Sequence, residues 1–157
     1  MGISSVHLLE LVIKPVLMNL GMHSLSAEQL MMGTAAQESN LGQYLKQLGG
    51  GPALGIYQME PWVHDDVWEN VLKYKSELAA QVTALAGRIG PEEMVHNLAY
   101  ATAMTRVNYY RHPERLPEPG NIPGMAYYWK KYHNTEKGKG TIEEFIKNFH
   151  RLVGFGD

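Results

Sequence analysis

Between Ser26 and Leu41 the chain sets an acid on the greasy side of a helix, and few arrangements tolerate that. Ser26-Ala27-Glu28-Gln29 has the form of a capping box, with the serine hydroxyl on the Gln29 backbone N–H and the Gln29 side chain reaching back, so it predicts a helix over 26–39. Met31, Ala35 and Glu38 follow at spacings of four and three, which puts the carboxyl of Glu38 on one face with apolar side chains. Burial disfavours the charged form, and so does the partial negative charge of the last helical turn. Both effects favour a carboxyl that holds its proton and can donate it. The bland alternative is a helix-end glutamate bonded to the next loop, and the pattern alone does not choose between the two.

The remaining chain predicts further helices around this one. Leu9, Val12, Ile13, Val16, Leu17 and Leu20 recur at helical spacing over 4–20, with Ser4 or Ser5 to cap and Gly21 to stop, and Pro15 predicts a kink near Lys14. Gly49-Gly50-Gly51-Pro52 makes 42–58 a loop with at most a small hairpin. It lacks the lysine and Ser/Thr of a phosphate-binding loop. Helices are expected from Pro61 through Leu72, from Ser76 to Ala86, and from Gly90-Pro91 to about Arg111, the last burying Val95, Leu98, Ala101 and Thr105. Pro113, Pro117, Pro119 and Pro123 make 112–122 irregular. A helix with Met125, Tyr128, Trp129 and Tyr132 on one side then runs to Gly138, and Thr141-Ile142-Glu143-Glu144 opens a final one with Ile142, Phe145, Ile146 and Phe149 inward. The fold class is mainly α: a single helical domain over 1–157, with a small loop or hairpin after the Glu38 helix.

Composition narrows function by exclusion. With 157 residues, 45% of them hydrophobic, one core is affordable. A formal charge of −2 gives no basic excess for nucleic acid. The absence of cysteine removes disulfides, thiolate catalysis and sulfur-ligated zinc. Seven histidines raise a metal question, but His64 with Asp65 and Asp66, or His64 with His96 and His133, lacks metalloprotease spacing, so neither metal nor cofactor is expected. Glu10, Lys14 and Pro15 interrupt the apolar N-terminal segment, and neither a signal peptide nor a membrane span is read there.

Gln37-Glu38-Ser39 with Gly55-Ile56-Tyr57-Gln58, ahead of Tyr132-His133-Asn134, resembles the soluble lytic transglycosylase group of the lysozyme-like superfamily over roughly 26–140. Gly49 to Pro61 with His64-Asp65-Asp66 looks still more like small phage-encoded versions of these enzymes. The resemblance implies an α+β lysozyme-like fold and Glu38 as the catalytic acid/base. It implies Ser39, Gln58 and Tyr57 near the reacting sugar, Tyr132 and Asn134 from the later motif, and Asn97 ahead of the helix-borne Tyr100. His133 here separates Tyr132 from Asn134, and Tyr57 replaces the usual methionine. The implied partner is the peptidoglycan glycan strand, together with other virion proteins if the chain is a virion component. The implied location is the host cytoplasm or the virion, with the cell wall as the place of action.

The chemistry expected is cleavage of the bond between N-acetylmuramic acid and N-acetylglucosamine by one glutamate used twice. A lysozyme-type hydrolase of the same bond would add a second carboxylate, for which Glu60, Asp65 and Asp66 are candidates. A virion structural or glycan-binding protein with the same fold and no turnover is the rival from another class. Tyr57 and Tyr132 are expected to face the groove and Trp129 to be core.

Overall fold

A computed structural model describes residues 1–154, so the last three residues of the 1–157 domain lie outside the described ones. The described chain folds as one mainly helical domain, with 63% helix and almost no strand, so its core is helix packed on helix. Its elements are α1 (Ser5–Leu8), α2 (Lys14–Asn19), α3 (Leu25–Ser39), α4 (Pro61–Asn70), α5 (Ser76–Leu85), α6 (Glu93–His96), α7 (Leu98–Tyr110), α8 (Ile122–Trp129) and α9 (Ile142–Leu152). No helix among the described residues is long and apolar enough to cross a membrane.

Helix α3 is the axle. From Ser26 to Ala36 every residue except Gln29 is buried, because α2, α7, α8 and α9 all pack on it. Small side chains make that possible. A Cβ built on Gly33 would stand 2.4 Å from Cζ of Phe145 and 3.1 Å from Phe149, so α9 can lie this close only over a glycine. The cap is Ser24, not Ser26: Ser24 has extended backbone and its Oγ accepts the Ala27 N–H at 3.0 Å. Ser26 is inside the helix and buried, and the Gln29 side chain accepts from the Gly120 N–H at 2.7 Å. The helix ends on Asn40 in the left-handed region, φ 51°, a conformation asparagine adopts more readily than most residues.

Elsewhere the punctuation falls close to where the sequence puts it. Pro15 is accommodated by a π-helical turn at Leu9–Ile13 that joins α1 to α2, with the Lys14 N–H on the Leu9 carbonyl. Thr141 and Glu144 form the capping box of α9 in both directions, at 3.1 and 3.0 Å. Ser4 caps α1, and Pro61 stands at the start of α4.

Three further expectations are corrected. The hairpin of 42–58 amounts to isolated antiparallel bridges, Lys46 with Leu54 and Leu54 with Met59, beside a short 3-10 turn at Leu48–Gly50. The helix expected from Gly90 to Arg111 breaks at Asn97, whose side chain caps a fresh helix by accepting the Tyr100 N–H at 2.9 Å. The helix carrying Trp129 widens into a π-helical turn at Lys130–Asn134 and stops at Thr135, φ 68°, ahead of Gly138.

Candidate active site

A cleft of about 690 Å³ runs between the C-terminal end of α3, the 44–60 loop, the start of α4 and the 132–140 segment. Gln37 and Glu38 contribute to its wall from α3, while Gln58, Glu60, Trp62, Tyr132 and Asn134 contribute from the other elements. Glu38 lies deep in it, with a side chain 16% exposed. Its Oε2 accepts the indole N–H of Trp129 at 2.8 Å. Burial is the leading influence and lifts the carboxyl to about 7, against the opposing pull of the Trp129 hydrogen bond and the Lys130 charge. A carboxyl so placed is largely protonated in mildly acidic solution and can exchange its proton near neutrality.

His133 stands beside it, with Nε2 3.7 Å from Glu38 Oε2. This is not an ion pair. Burial pushes His133 down to about 4, and Nε2 donates its proton to the Tyr57 carbonyl at 2.7 Å, so the ring is neutral and its proton is already engaged. The positive charge acting on Glu38 is that of Lys130, whose Nζ donates to Asn134 Oδ1 at 2.6 Å and to the carbonyls of Gly138 and Gly140 at 3.0 and 2.7 Å. Lys130 thereby ties the 134–140 loop down along one side of the cleft. Gly140 permits the close approach: a Cβ there would stand 2.7 Å from the Trp129 ring.

The residues expected around Glu38 divide into two groups. Gln58, Tyr132 and Asn134 do line the cleft. Gln58 is placed by a tight turn, φ 51°, its Nε2 donating to the Gly55 carbonyl at 2.9 Å. The Tyr132 ring stacks on His112 at 4.0 Å between centroids, meets Tyr128 edge-on, and its hydroxyl donates to Glu114 at 2.6 Å. One face of Tyr132 is therefore occupied by protein.

Tyr57, Ser39, Tyr100 and Asn97 lie elsewhere. The Tyr57 ring is 1% exposed and turns inward, where its hydroxyl donates to Thr102 Oγ1 at 2.7 Å, the Thr102 proton being given to the Leu98 carbonyl. Ile56 and Tyr57 are core residues of the turn, and only the Tyr57 carbonyl reaches the site, through His133. Ser39 Oγ donates to the Ile56 carbonyl at 2.6 Å and accepts the Gly42 N–H at 2.8 Å. It is a buried tie between α3 and the turn carrying Gln58. Tyr100 is buried against α4: its hydroxyl accepts from Trp68 at 2.9 Å and donates to His64 Nε2 at 2.6 Å, while His64 Nδ1 donates to Asp65. Asn97 bonds to the Leu85 carbonyl and Glu93, structural roles away from the cleft.

Two features of the cleft are not singled out by sequence reasoning, which offers Trp62 only as one of several aromatic residues able to cover a sugar. Trp129 is core, as expected, yet its N–H also holds Glu38; Trp129 and His133, four apart on one helix face, both turn to the carboxyl, and that spacing was the available signal. Trp62, 66% exposed, presents an open aromatic face in the cleft with its N–H on Glu60 at 2.8 Å. Of the candidate second acids, Asp65 is absent from the cleft lining, whereas Glu60 and Asp66 are part of it. Asp66 is held below the usual carboxylate range by hydrogen bonds from Arg111 and Asn70. Among the described residues no group of three or more His, Cys, Asp or Glu side chains is placed to hold a metal ion.

Comparison of the chain with protein-family models, with curated proteins and with solved structures finds no match.

Proposed function

We propose that this protein is a peptidoglycan lytic transglycosylase with a lysozyme-like fold, cutting the β-1,4 bond between N-acetylmuramic acid and N-acetylglucosamine. The observation that carries the reading is the Glu38 carboxyl, lifted to about 7 by burial in the wall of a long cleft. In the first step Glu38 gives its proton to the glycosidic oxygen as the bond from that oxygen to C1 breaks. The Trp129 N–H and the Lys130 charge favour the carboxylate left behind. In the second step the carboxylate takes the proton of the muramyl 6-hydroxyl as its oxygen bonds to C1, closing a 1,6-anhydro ring and restoring the acid. No water is consumed. The resemblance of Gln37-Glu38-Ser39 and Gly55 to Gln58 to phage-encoded enzymes of this type supports a setting as an endolysin or virion-associated lysin.

A second reading has an observation in its favour. Asp66 lines the same cleft and stays ionised where Glu38 is protonated, and two carboxyls with pKa values pushed apart suit lysozyme-type hydrolysis. Against it, Arg111 and Asn70 already occupy the Asp66 oxygens. Mass spectrometry of digested cell wall separates the two: 1,6-anhydro ends support the transglycosylase, and reducing ends alone overturn it. The clearing of purified walls by wild type and by Glu38→Gln tests for catalysis itself. Binding by both with clearing by neither favours the non-enzymatic virion or glycan-binding role.

A further inference from the structure

A second cavity, of about 710 Å³, opens beside the cleft, and Arg111 and His112 line both. Its wall includes Arg106, on α7, which is only 8% exposed. Nε and Nη1 of Arg106 are buried and have no hydrogen-bond partner among the described residues. Buried guanidinium groups are ordinarily paired, since an unpaired charge away from water is costly. Among the described residues no carboxylate fills that role. Glu114, the one acid on the cavity wall among the described residues, is taken by Lys131 at 3.0 Å and by Tyr132 at 2.6 Å. Arg111 is bound to Asp66. Lys75 adds a further positive charge to the wall, its Nζ 5.7 Å from the centre of the Tyr110 ring.

We propose that this cavity is an oxyanion-binding site in which Arg106, supported by Lys75, takes a carboxylate or phosphate group. The guanidinium keeps its charge and donates to the oxygens of such a group, and a charge-assisted hydrogen bond offsets the cost of burying an unpaired cation. Two sources fit the chemistry: a free small anion such as inorganic phosphate, or a carboxylate carried on a branch of the polymer lying in the adjoining cleft. The site does not depend on Glu38 performing chemistry.

The test follows the Arg106 Nε–H resonance by NMR in the full-length Glu38→Gln protein, which removes turnover, with the signal assigned by its loss in Arg106→Lys. Inorganic phosphate and the free wall peptide, which bears carboxylates and no sugar, are titrated separately, with chloride at matched ionic strength as control. Saturable movement with either probe and none with chloride is expected. Phosphate alone identifies a free-anion site; tighter binding of the peptide identifies a branch of the polymer. Arg106→Gln should weaken binding at least tenfold, and Lys75→Met should weaken it by a smaller factor. An unmoved resonance, equal movement with chloride, or undiminished binding by a folded Arg106→Gln overturns the proposal. If Arg106→Gln does not fold, the titration of the Arg106-containing protein decides alone. Wall clearing by the wild type is scored separately, so the failure of this site and the failure of the proposed activity are distinct results.

Discussion

Glu38→Gln should make the protein more stable, and by an amount that grows with pH. The carboxyl titrates at about 4.5 when unfolded and about 7 in the fold, so the native state binds this proton more tightly. A raised pKa contributes stability that is fully present below the unfolded value and is lost as pH rises through the folded one. The displacement corresponds to about 3 kcal/mol, lost between pH 4.5 and just above 7. Glutamine resembles the protonated acid in shape and keeps a carbonyl oxygen for the Trp129 N–H, but it carries no such loss. His133 complicates the wild-type profile. Its pKa is pushed down to about 4, so it destabilises the fold as pH falls below 6.5 and opposes the Glu38 trend in that window. Subtracting the wild-type curve from that of Glu38→Gln removes the histidine, which both proteins share. Urea unfolding from pH 4 to pH 8.5 should then give a difference that rises by about 3 kcal/mol, or roughly 10 °C in melting temperature for a chain of this size. Parallel stability curves would refute the argument, because they would mean that the fold does not favour the proton on Glu38.

If Glu38 is the acid, kcat/KM should fall as pH rises through about 7, which a pH–rate profile with solubilised glycan measures. Trp129→Phe removes the donor that favours the ionised form, so that alkaline limb should move to higher pH; a limb moving lower contradicts the assigned hydrogen bond. Tyr57→Phe should cost about 1 kcal/mol in urea unfolding, for the lost bond to Thr102, and leave KM unchanged. Trp62→Ala should do the reverse, sparing stability while raising KM, because its ring is exposed in the cleft. Gly33→Ala should destabilise the protein by about 1–3 kcal/mol, since the added methyl must displace Phe145 or part α9 from α3; an unchanged denaturation midpoint would show that this contact yields freely.

The helical order was legible because its signals are local. Pro61, the Thr141–Glu144 box and the stop at Gly21 each act within a turn of chain, and the structure keeps them. Ser24 carries the weaker local signal, because Ser26 completes the pattern of a capping box with Gln29. What decided the matter was burial: Ser26 faces the core, where a cap with its non-helical backbone has no room. The break at Asn97 was hidden for a related reason. Its side chain serves Leu85 and Glu93 as well as the helix start, and those partners become neighbours only on folding.

The site shows the same division. That Glu38 lies on an apolar face follows from spacing alone, whereas which way the Gly55 to Gln58 turn points its side chains does not. Gly55, φ 79°, and Gln58, φ 51°, reverse the backbone within four residues, and Ile56 and Tyr57 both turn into the core. Thr102, distant in sequence, offers a hydroxyl that satisfies Tyr57 in the core, and the ring follows. The inward turn leaves the Tyr57 carbonyl facing His133 and fixes the proton on Nε2, while burial, against the pull of that carbonyl, keeps the ring neutral beside the acid. Were His133 charged, the pair 3.7 Å away would pull the Glu38 pKa down and undo the effect of burial. Tyr57, expected in the groove, thus meets the site only through its backbone, where it orients His133, and its buried ring anchors that contact.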